Sequence, residues 1–400
     1  MILPPPHIIS EAVSLISYYH NEKDVLANIH KKYESINWIN MNIVLCGFSP
    51  YARKLVDSLK EDIRLNGKIS IVDVEVHSNI YNGIPIKSFN DMSEYDMDKS
   101  LFIICSNPYM GLFINLLKKL NAGNIITYHL LNVCDDKYDY NLERYNAWIV
   151  KDRITHFLEN REYYIDFLEN LGDEESKEIL SKLILYVFTL DATYCDVKSI
   201  HPPYFGFENL PLNTYNCFID LGGFNGDTLR DFLSLKHNFD EYWYFEPDED
   251  LFKEAKKISS DQRVRYNNLA IGSKVGDVLF SKTPDLSSVG FITDTGNTVV
   301  KMDTLDNFLS KDGLPRINIT CIKMDVEGSE YDVLLGAKKI ISVHHPVLMI
   351  SIEHKTDDIK KLSEYIKSLF DRYVFYIRCC AESILTDLTM YAIPRSKIND

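Results

Sequence analysis

Residues 218–233 read FIDLGGFNGDTLRDFL, and the segment that follows at 242–250 reads YWYFEPDED. The first is an apolar strand that ends on an acid, Asp220, and turns through Gly222, Gly223 and Gly226 into an amphipathic helix. Glycines in such a turn let the backbone and a ligand approach closely and supply positive φ values closed to bulkier residues. The second segment is another strand, and it ends on Glu246, about 20 residues beyond Gly226. An acid at that distance in a dinucleotide fold accepts hydrogen bonds from the ribose hydroxyls. The competing reading makes Glu246 a helix N-terminal acid, although Asp248 is better placed as that cap.

Working outward, the C-terminal half alternates. Strand Cys217–Leu221, helix 226–235, strand Tyr242–Phe245 and helix 248–258 are followed by strand Val264–Ile271 and a short strand at 277–281. Helix Thr304–Leu309, strand Asn318–Val326, helix 329–341, strand Val347–Ile352 and helix 356–370 follow. Two closing strands, Val374–Cys379 and Thr389–Ile393, end the sequence of elements. Such alternation predicts a parallel α/β sheet wound on both faces. A terminal strand pair in place of a last crossover helix suits a seven-stranded methyltransferase sheet better than a dehydrogenase sheet.

The N-terminal half repeats the alternation on a smaller scale. Residues 1–40 form a helical lead-in and residues 41–135 a small doubly wound, Rossmann-like unit, opened by the strand NIVLCGF and a helix over Tyr51–Leu65. No strand signal occurs over 139–195, so residues 136–203 read as a helical connector with amphipathic stretches at 142–170 and 174–190. Residues 204–400 are then the second domain. The turn after the first strand reads Cys46-Gly47-Phe48-Ser49-Pro50-Tyr51-Ala52, with one glycine where a dinucleotide fingerprint has three, and Phe48 and Tyr51 are expected to obstruct a pyrophosphate. This unit resembles the nucleotide-binding-like domains found beside sugar-modifying enzymes. A scaffold, an acceptor-presenting wall or a homo-oligomer contact is its expected role.

Composition narrows the partners. A net charge of −15 over 400 residues argues against a nucleic-acid partner, which needs clustered Lys and Arg to neutralise phosphates. No apolar run reaches the length of a membrane span, and MILPPPHIIS lacks the basic start of a signal peptide. The eight cysteines are scattered without a Cys-x-x-Cys pair, which reads as buried thiols in a reducing cytoplasm.

The C-terminal half resembles the FkbM family of S-adenosylmethionine-dependent methyltransferases. The matching pieces occur in order: FIDLGGFNGDT, YFEPDEDLF, NNLAIGS, SSVG, VKMDTLDNFL, IKMDVEGSEYDVLLGA and HPVLMISIEH. They cover roughly residues 204–395. The resemblance implies a class I methyltransferase fold and O-methylation of a sugar, a glycan or another small hydroxyl compound. It implies that Asp220, Gly222, Gly223, Gly226, Asp227 and Thr228 surround the methionine portion of the donor. By the same resemblance Glu246 and Pro247 hold the ribose, and Asn268, Leu269 and Ala270 border the adenine. Gly222-Gly223 stands where many relatives have Gly-Ala.

Methyl transfer to oxygen needs a proton removed from a poorly acidic hydroxyl. Asp325 and Glu327 alternate at the end of the fourth strand and so share a face, Glu330 follows in the first helical turn, and the next strand ends in Glu353-His354. Two chemistries are open. Either a carboxylate or His354 is the general base, or Asp325, Glu327 and Glu353 hold a divalent cation such as Mg²⁺ that acidifies the acceptor. Against both, Glu330 favours its own helix N-terminus and Glu327 a local backbone bond. Residues 282–300 are either a surface loop or an acceptor-binding lid, and Lys301 and Lys323 read as solvated lysines. The rival enzyme class is an NAD-dependent sugar-nucleotide oxidoreductase, which calls for a Gly-x-Gly-x-x-Gly loop and a Tyr-x-x-x-Lys pair, neither present here. A non-catalytic methyltransferase-like binding protein is the third reading, and its mark is loss of Asp220, Glu246 or Asp325.

Overall fold

Runs of Val, Ile, Leu and Phe four to seven residues long cannot face water on either side of a strand, and in this chain they build two separate parallel sheets. The computed structural model describes residues 7–36, 41–60, 69–135, 150–196, 204–205, 207, 210–282, 290–311, 318–379 and 383–398. The chain divides into two compact units. One comprises Met1–Glu169, Glu174–Ser199 and Ala381–Asp387, and the other Asn170–Asp173, Ile200–Cys380 and Leu388–Asp400.

Unit 1 begins with helices α1 (His7–Tyr18) and α2 (Glu22–Glu34), separated by an Asn21 cap. Strand β1 (Asn42–Cys46), helix α3 (Pro50–Lys60), β2 (Ile69–Asp73), the hairpin β3 (Ile80–Tyr81) and β4 (Ile84–Ser88), β5 (Ser100–Ile104), helix α4 (Met110–Lys119) and β6 (Ile125–Thr127) follow. The sheet order is β3-β4-β2-β1-β5-β6, parallel except for the β3–β4 hairpin. A short helix α5 (Tyr128–Cys134), unmarked by any cap in the sequence, closes it. Then come α6 (Val150–Glu159), α7 (Arg161–Glu169) and α8 (Glu174–Thr189). The stretch expected as one helix over 142–170 is interrupted at Asn160, and residues 142–149 lie outside the described residues. The apolar stripe Ile8, Ala12 and Ile16 of α1 is buried, and α1 packs along α8. The lead-in and the connector, far apart in sequence, are therefore one helical layer.

Unit 2 contains β7 (Cys217–Leu221), α9 (Asp227–Ser234), β8 (Glu241–Phe245), α10 (Glu249–Ala255), β9 (Val264–Asn267) and β10 (Ala270–Ile271). After these come β11 (Gly276–Lys282), β12 (Gly290–Ile292), β13 (Thr298–Asp303), α11 (Leu305–Lys311), β14 (Cys321–Met324), α12 (Glu330–Gly336), α13 (Lys338–His344), β15 (Val347–Ser351), α14 (Asp358–Leu369), β16 (Tyr373–Cys379) and β17 (Leu388–Pro394). Its main sheet has the order β16-β17-β15-β14-β7-β8-β9, with β17 antiparallel to both neighbours. This is the seven-stranded class I methyltransferase sheet, and its strand order reverses between β7 and β14. A ligand crevice opens at the carboxyl ends of the strands beside such a reversal.

Two local expectations are corrected. The strand over Val264–Ile271 breaks at Asn268, because the Asn268 amide donates to the carbonyls of Glu246 and Pro247. Within 282–300, expected as a surface loop or a lid, residues 290–292 and 298–300 are strands of a small sheet, β10-β13-β11-β12, in which β11 pairs with both β12 and β13. Residues 283–289, which include most of the SSVG piece, lie outside the described residues. Seven described cysteines are free thiols, all buried except Cys134.

Candidate active site

The glycine turn after β7 is shaped by the residues beneath it. Gly222 has φ +75°, and a Cβ there would collide with the carbonyl oxygen of Asp325 at the end of β14. The Gly222 and Gly223 amides donate to the Phe245 carbonyl at 3.1 and 2.9 Å, which ties the turn to the end of β8. Gly226 precedes α9, where Asp227 is exposed and its Oδ1 accepts from the Thr228 amide at 2.7 Å. The Tyr244 hydroxyl donates to the Phe224 carbonyl and fixes the crest of the loop.

Glu246 lies opposite this loop and is 6% exposed. Its Oε2 accepts from the Phe224 amide at 3.0 Å and its Oε1 from the Asp248 amide at 2.8 Å. Burial pushes the carboxyl up to about 7, with the two amides acting in the opposite direction. Asp248 itself caps α10 by accepting from Asp250 and Leu251. Each Glu246 oxygen retains a free lone pair, which suits a ligand that presents a pair of hydroxyls. Pro247 is partly buried beside it, Asn268 and Leu269 line the break between β9 and β10, and Ala270 is buried against Val278 and Met302 in the small sheet.

Asp220 does not line an open site. It is fully buried, paired with Lys323 Nζ at 3.1 Å, and accepts from the Tyr242 hydroxyl at 2.6 Å. Lys323 is not solvated as expected. It is 2% exposed and donates to the Gly222 carbonyl at 2.6 Å. Burial disfavours its ammonium, but Asp220, Asp325 and Asp227 outweigh that and raise its pKa. The buried charge pair thus holds the glycine turn from below. Lys323 and Asp220 are direct neighbours in the β14–β7 register.

On the other side of the reversal β14 ends at Met324, and Asp325 to Gly328 form a turn in which Glu327 has φ +53° and Gly328 +91°. Asp325 and Glu327 converge through this turn, not through strand alternation. Fully buried Glu330 builds the turn, since its Oε1 accepts from the Val326 and Gly328 amides at 3.0 and 3.2 Å. The same oxygen accepts from His354 Nδ1 at 2.9 Å. His354 Nε2 thereby faces Asp325 Oδ1 at 3.8 Å and Glu327 Oε2 at 3.7 Å. Burial lowers the pKa of the imidazole, yet Glu330, Glu353 and Asp325 outweigh it and hold it well above its ordinary value. The Tyr204 hydroxyl donates to Asp325 Oδ2 at 3.3 Å. Glu353 is 9% exposed, and its Oε2 accepts from the Ile352 amide at 2.9 Å.

Residues 220–378 match the methyltransferase FkbM domain. The chain carries an FkbM methyltransferase domain. A solved methyltransferase FkbM from Methylobacillus flagellatus KT shares its fold, with 18% identity and a TM-score of 0.60 over 93% of this chain and 99% of that one. No curated protein matches the sequence. Among the described residues no helix is long and apolar enough to cross a membrane.

Around this site, sequence reasoning missed Lys323, Tyr242, Tyr204 and the anchoring role of Glu330. For Lys323 a signal existed, because a lysine in the middle of an apolar, doubly covered strand needs a buried partner. For Tyr204 and Glu330 none existed, since their partners Asp325 and His354 come from other elements. The group drawn together is Asp325, Glu327 and His354, whose ligand atoms lie within 4.8 Å of one another. Glu353 is outside it.

Proposed function

We propose that the FkbM domain transfers the methyl group of S-adenosylmethionine to a hydroxyl oxygen of a sugar, glycan or other small acceptor. The observation that carries this reading is the Glu246 carboxylate, buried against the Phe224 amide of a glycine turn at the strand-order reversal. The donor supplies a methyl group made electrophilic by its sulfonium. Glu246 orients the donor's ribose, the Gly222–Gly226 turn leaves room for the methionine portion, and Asn268 with Leu269 borders the base. Asp325 takes the acceptor proton, with its carboxylate aimed by the Tyr204 hydroxyl and the His354 imidazolium. Burial of Glu330 and His354 strengthens the charge interaction between them. His354, kept protonated by Glu330, acts as a positioning cation and not as the base. Reduced, buried thiols suit a cytoplasmic setting.

Calorimetry with S-adenosylhomocysteine tests the donor site. Glu246→Ala is expected to weaken binding at least about tenfold, the scale of a lost charge-assisted hydrogen bond. Because Glu246 ionises near pH 7 and only the carboxylate accepts at both oxygens, wild-type affinity is expected to rise about tenfold from pH 6 to pH 8. Equal affinity in the variant, or a flat pH profile, contradicts the assignment.

A second reading is favoured by the geometry of Asp325, Glu327 and His354. A carboxylate behind a histidine is the usual support for a metal-bound imidazole, and Glu330 fills that position. Two carboxylates and an imidazole suit Mn²⁺ or Zn²⁺ better than the Mg²⁺ expected from an all-oxygen set. His354 Nε2 carries either a proton or a metal. Labelled-donor turnover on a panel of nucleotide sugars and glycans, with and without EDTA, separates the two. Turnover unchanged by EDTA is expected, and a loss restored by Mn²⁺ selects the cation.

A further inference from the structure

We infer that unit 1 holds a binding site of its own for a ribonucleoside 5′-phosphate at the carboxyl ends of β1, β2 and β5, with Asp73 as the ribose acceptor.

Three contacts of the donor turn in unit 2 recur there. The Gly47 amide donates to the Val72 carbonyl at 2.8 Å, as the Gly222 and Gly223 amides do to Phe245. The residue after that carbonyl is in each case an acid, Asp73 or Glu246, whose carboxylate faces a phenylalanine amide of the turn, Phe48 or Phe224. The next amide in the chain, Val74, also donates to Asp73 at 2.9 Å. Finally, Gly47 has φ +99° and a Cβ there would collide with Ser106 after β5, just as Gly222 abuts Asp325 after β14. Both turns sit where the strand order reverses, between β1 and β5 in unit 1. The resemblance between the two halves extends beyond the fold to the hydrogen bonds of the turn.

The feared obstruction is absent. Tyr51 is 6% exposed and stacks on Tyr128 with ring centroids 4.0 Å apart, inside the core. Phe48 is half-buried and packs edge-on against Tyr81 at 5.0 Å, so the residue whose amide meets the Asp73 carboxylate also carries a ring on which a base can stack. The exposed Arg53 guanidinium lies 4.9 Å over the Phe48 ring at the start of α3, an 11-residue helix. A cation at a helix N-terminus favours a phosphate. Asn107, 8% exposed after β5, has an Oδ1 without a hydrogen-bond partner among the described residues. The second and third glycines of the donor turn have no counterpart here, because Ser49-Pro50 leads straight into α3. Room for an amino-acid tail is therefore missing, and a nucleotide fits where S-adenosylmethionine does not.

The test is calorimetry on the full chain, saturated with S-adenosylhomocysteine, against ADP, GDP, CDP and UDP and their 2′-deoxy counterparts. At least one ribonucleotide is expected to bind with a Kd below about 1 mM. Its affinity should fall at least about tenfold in Asp73→Asn, and by a similar factor for the 2′-deoxy form, while Glu246→Ala leaves it unchanged. Asp73→Asn keeps the shape and one acceptor oxygen, so loss of folding is not the expected cause of any effect. No binding by all four ribonucleotides, equal affinity in Asp73→Asn, or loss of binding in Glu246→Ala overturns the proposal. The reading of unit 2 fails separately, through absence of S-adenosylhomocysteine binding in the same titration series.

Discussion

Lys323→Met is expected to destabilise unit 2 by about 3–5 kcal/mol, the cost of leaving a buried charge without its partner. Asp220 is fully buried, and among the described residues Lys323 and the Tyr242 hydroxyl compensate its carboxylate. A loss of that size is a large fraction of the roughly 5–15 kcal/mol that holds a typical domain folded. Hydrogen exchange of the β7 and β14 amides in increasing urea reads the effect in the strands concerned. The double variant Asp220→Asn/Lys323→Met removes both charges and is expected to recover much of the stability, since neutral groups of similar shape avoid the desolvation cost. A single variant within about 1 kcal/mol of wild type would show that the pair contributes nothing, as many exposed pairs do. The same substitution frees the Gly222 carbonyl. S-adenosylhomocysteine binding should therefore weaken even at temperatures where the domain remains folded.

Asp325→Asn is expected to lower the methyl-transfer rate by about 10²–10⁴-fold, the usual contribution of a general base. Binding of S-adenosylhomocysteine should change little, because Asp325 is assigned to the acceptor side. Asparagine keeps the shape and still accepts from Tyr204, so a rate loss reports the missing proton acceptor and not a collapsed turn. Rapid-quench single-turnover kinetics with labelled donor separates chemistry from product release. A variant with wild-type single-turnover rate removes Asp325 from the mechanism. Glu330→Gln sharpens the assignment of His354. The wild-type imidazole is held protonated well above its ordinary pKa by Glu330, Glu353 and Asp325 against the opposing effect of burial, so its charge is present at neutral pH and lost only as pH rises through the elevated value. With the Glu330 charge removed, that loss moves down towards neutrality. NMR titration of the His354 ring is expected to show the midpoint fall, and turnover to acquire a decline with rising pH that the wild type lacks.

Much of the fold was written in local pattern. Apolar runs bounded by turns marked nine of the strands and their alternation with helices, because burial on both faces of a parallel sheet demands continuous Val, Ile, Leu and Phe. Helix interruptions were not legible. Asn160 sits in an uninterrupted helical pattern with no proline or glycine beside it, and there the Asn160 side-chain amide donates to the His156 carbonyl. The break at Ala337 follows Gly336, which lies so close to the Gly272 carbonyl that a Cβ has no room, an approach that no local pattern shows. Of the small sheet the strand at 277–281 was legible, but β13 was not, because exposed Thr298, Val299 and Lys301 break the alternation of a half-buried strand.

The glycine turn followed by Glu246 could be found by spacing alone, since a strand, a turn and the next strand in one crossover have fixed lengths. That Asp220 meets Lys323 could not, because residues a hundred positions apart become neighbours only once β14 is laid against β7. Likewise the sequence alone supplied Asp325, Glu327 and His354 as titratable groups at two strand ends. Only the tertiary structure decided that Glu330, buried under the turn, binds Nδ1 of His354 and so turns Nε2 towards both carboxylates. Chemical identity is a property of the residue, whereas protonation and direction are set by the charges and dielectric that folding places around it.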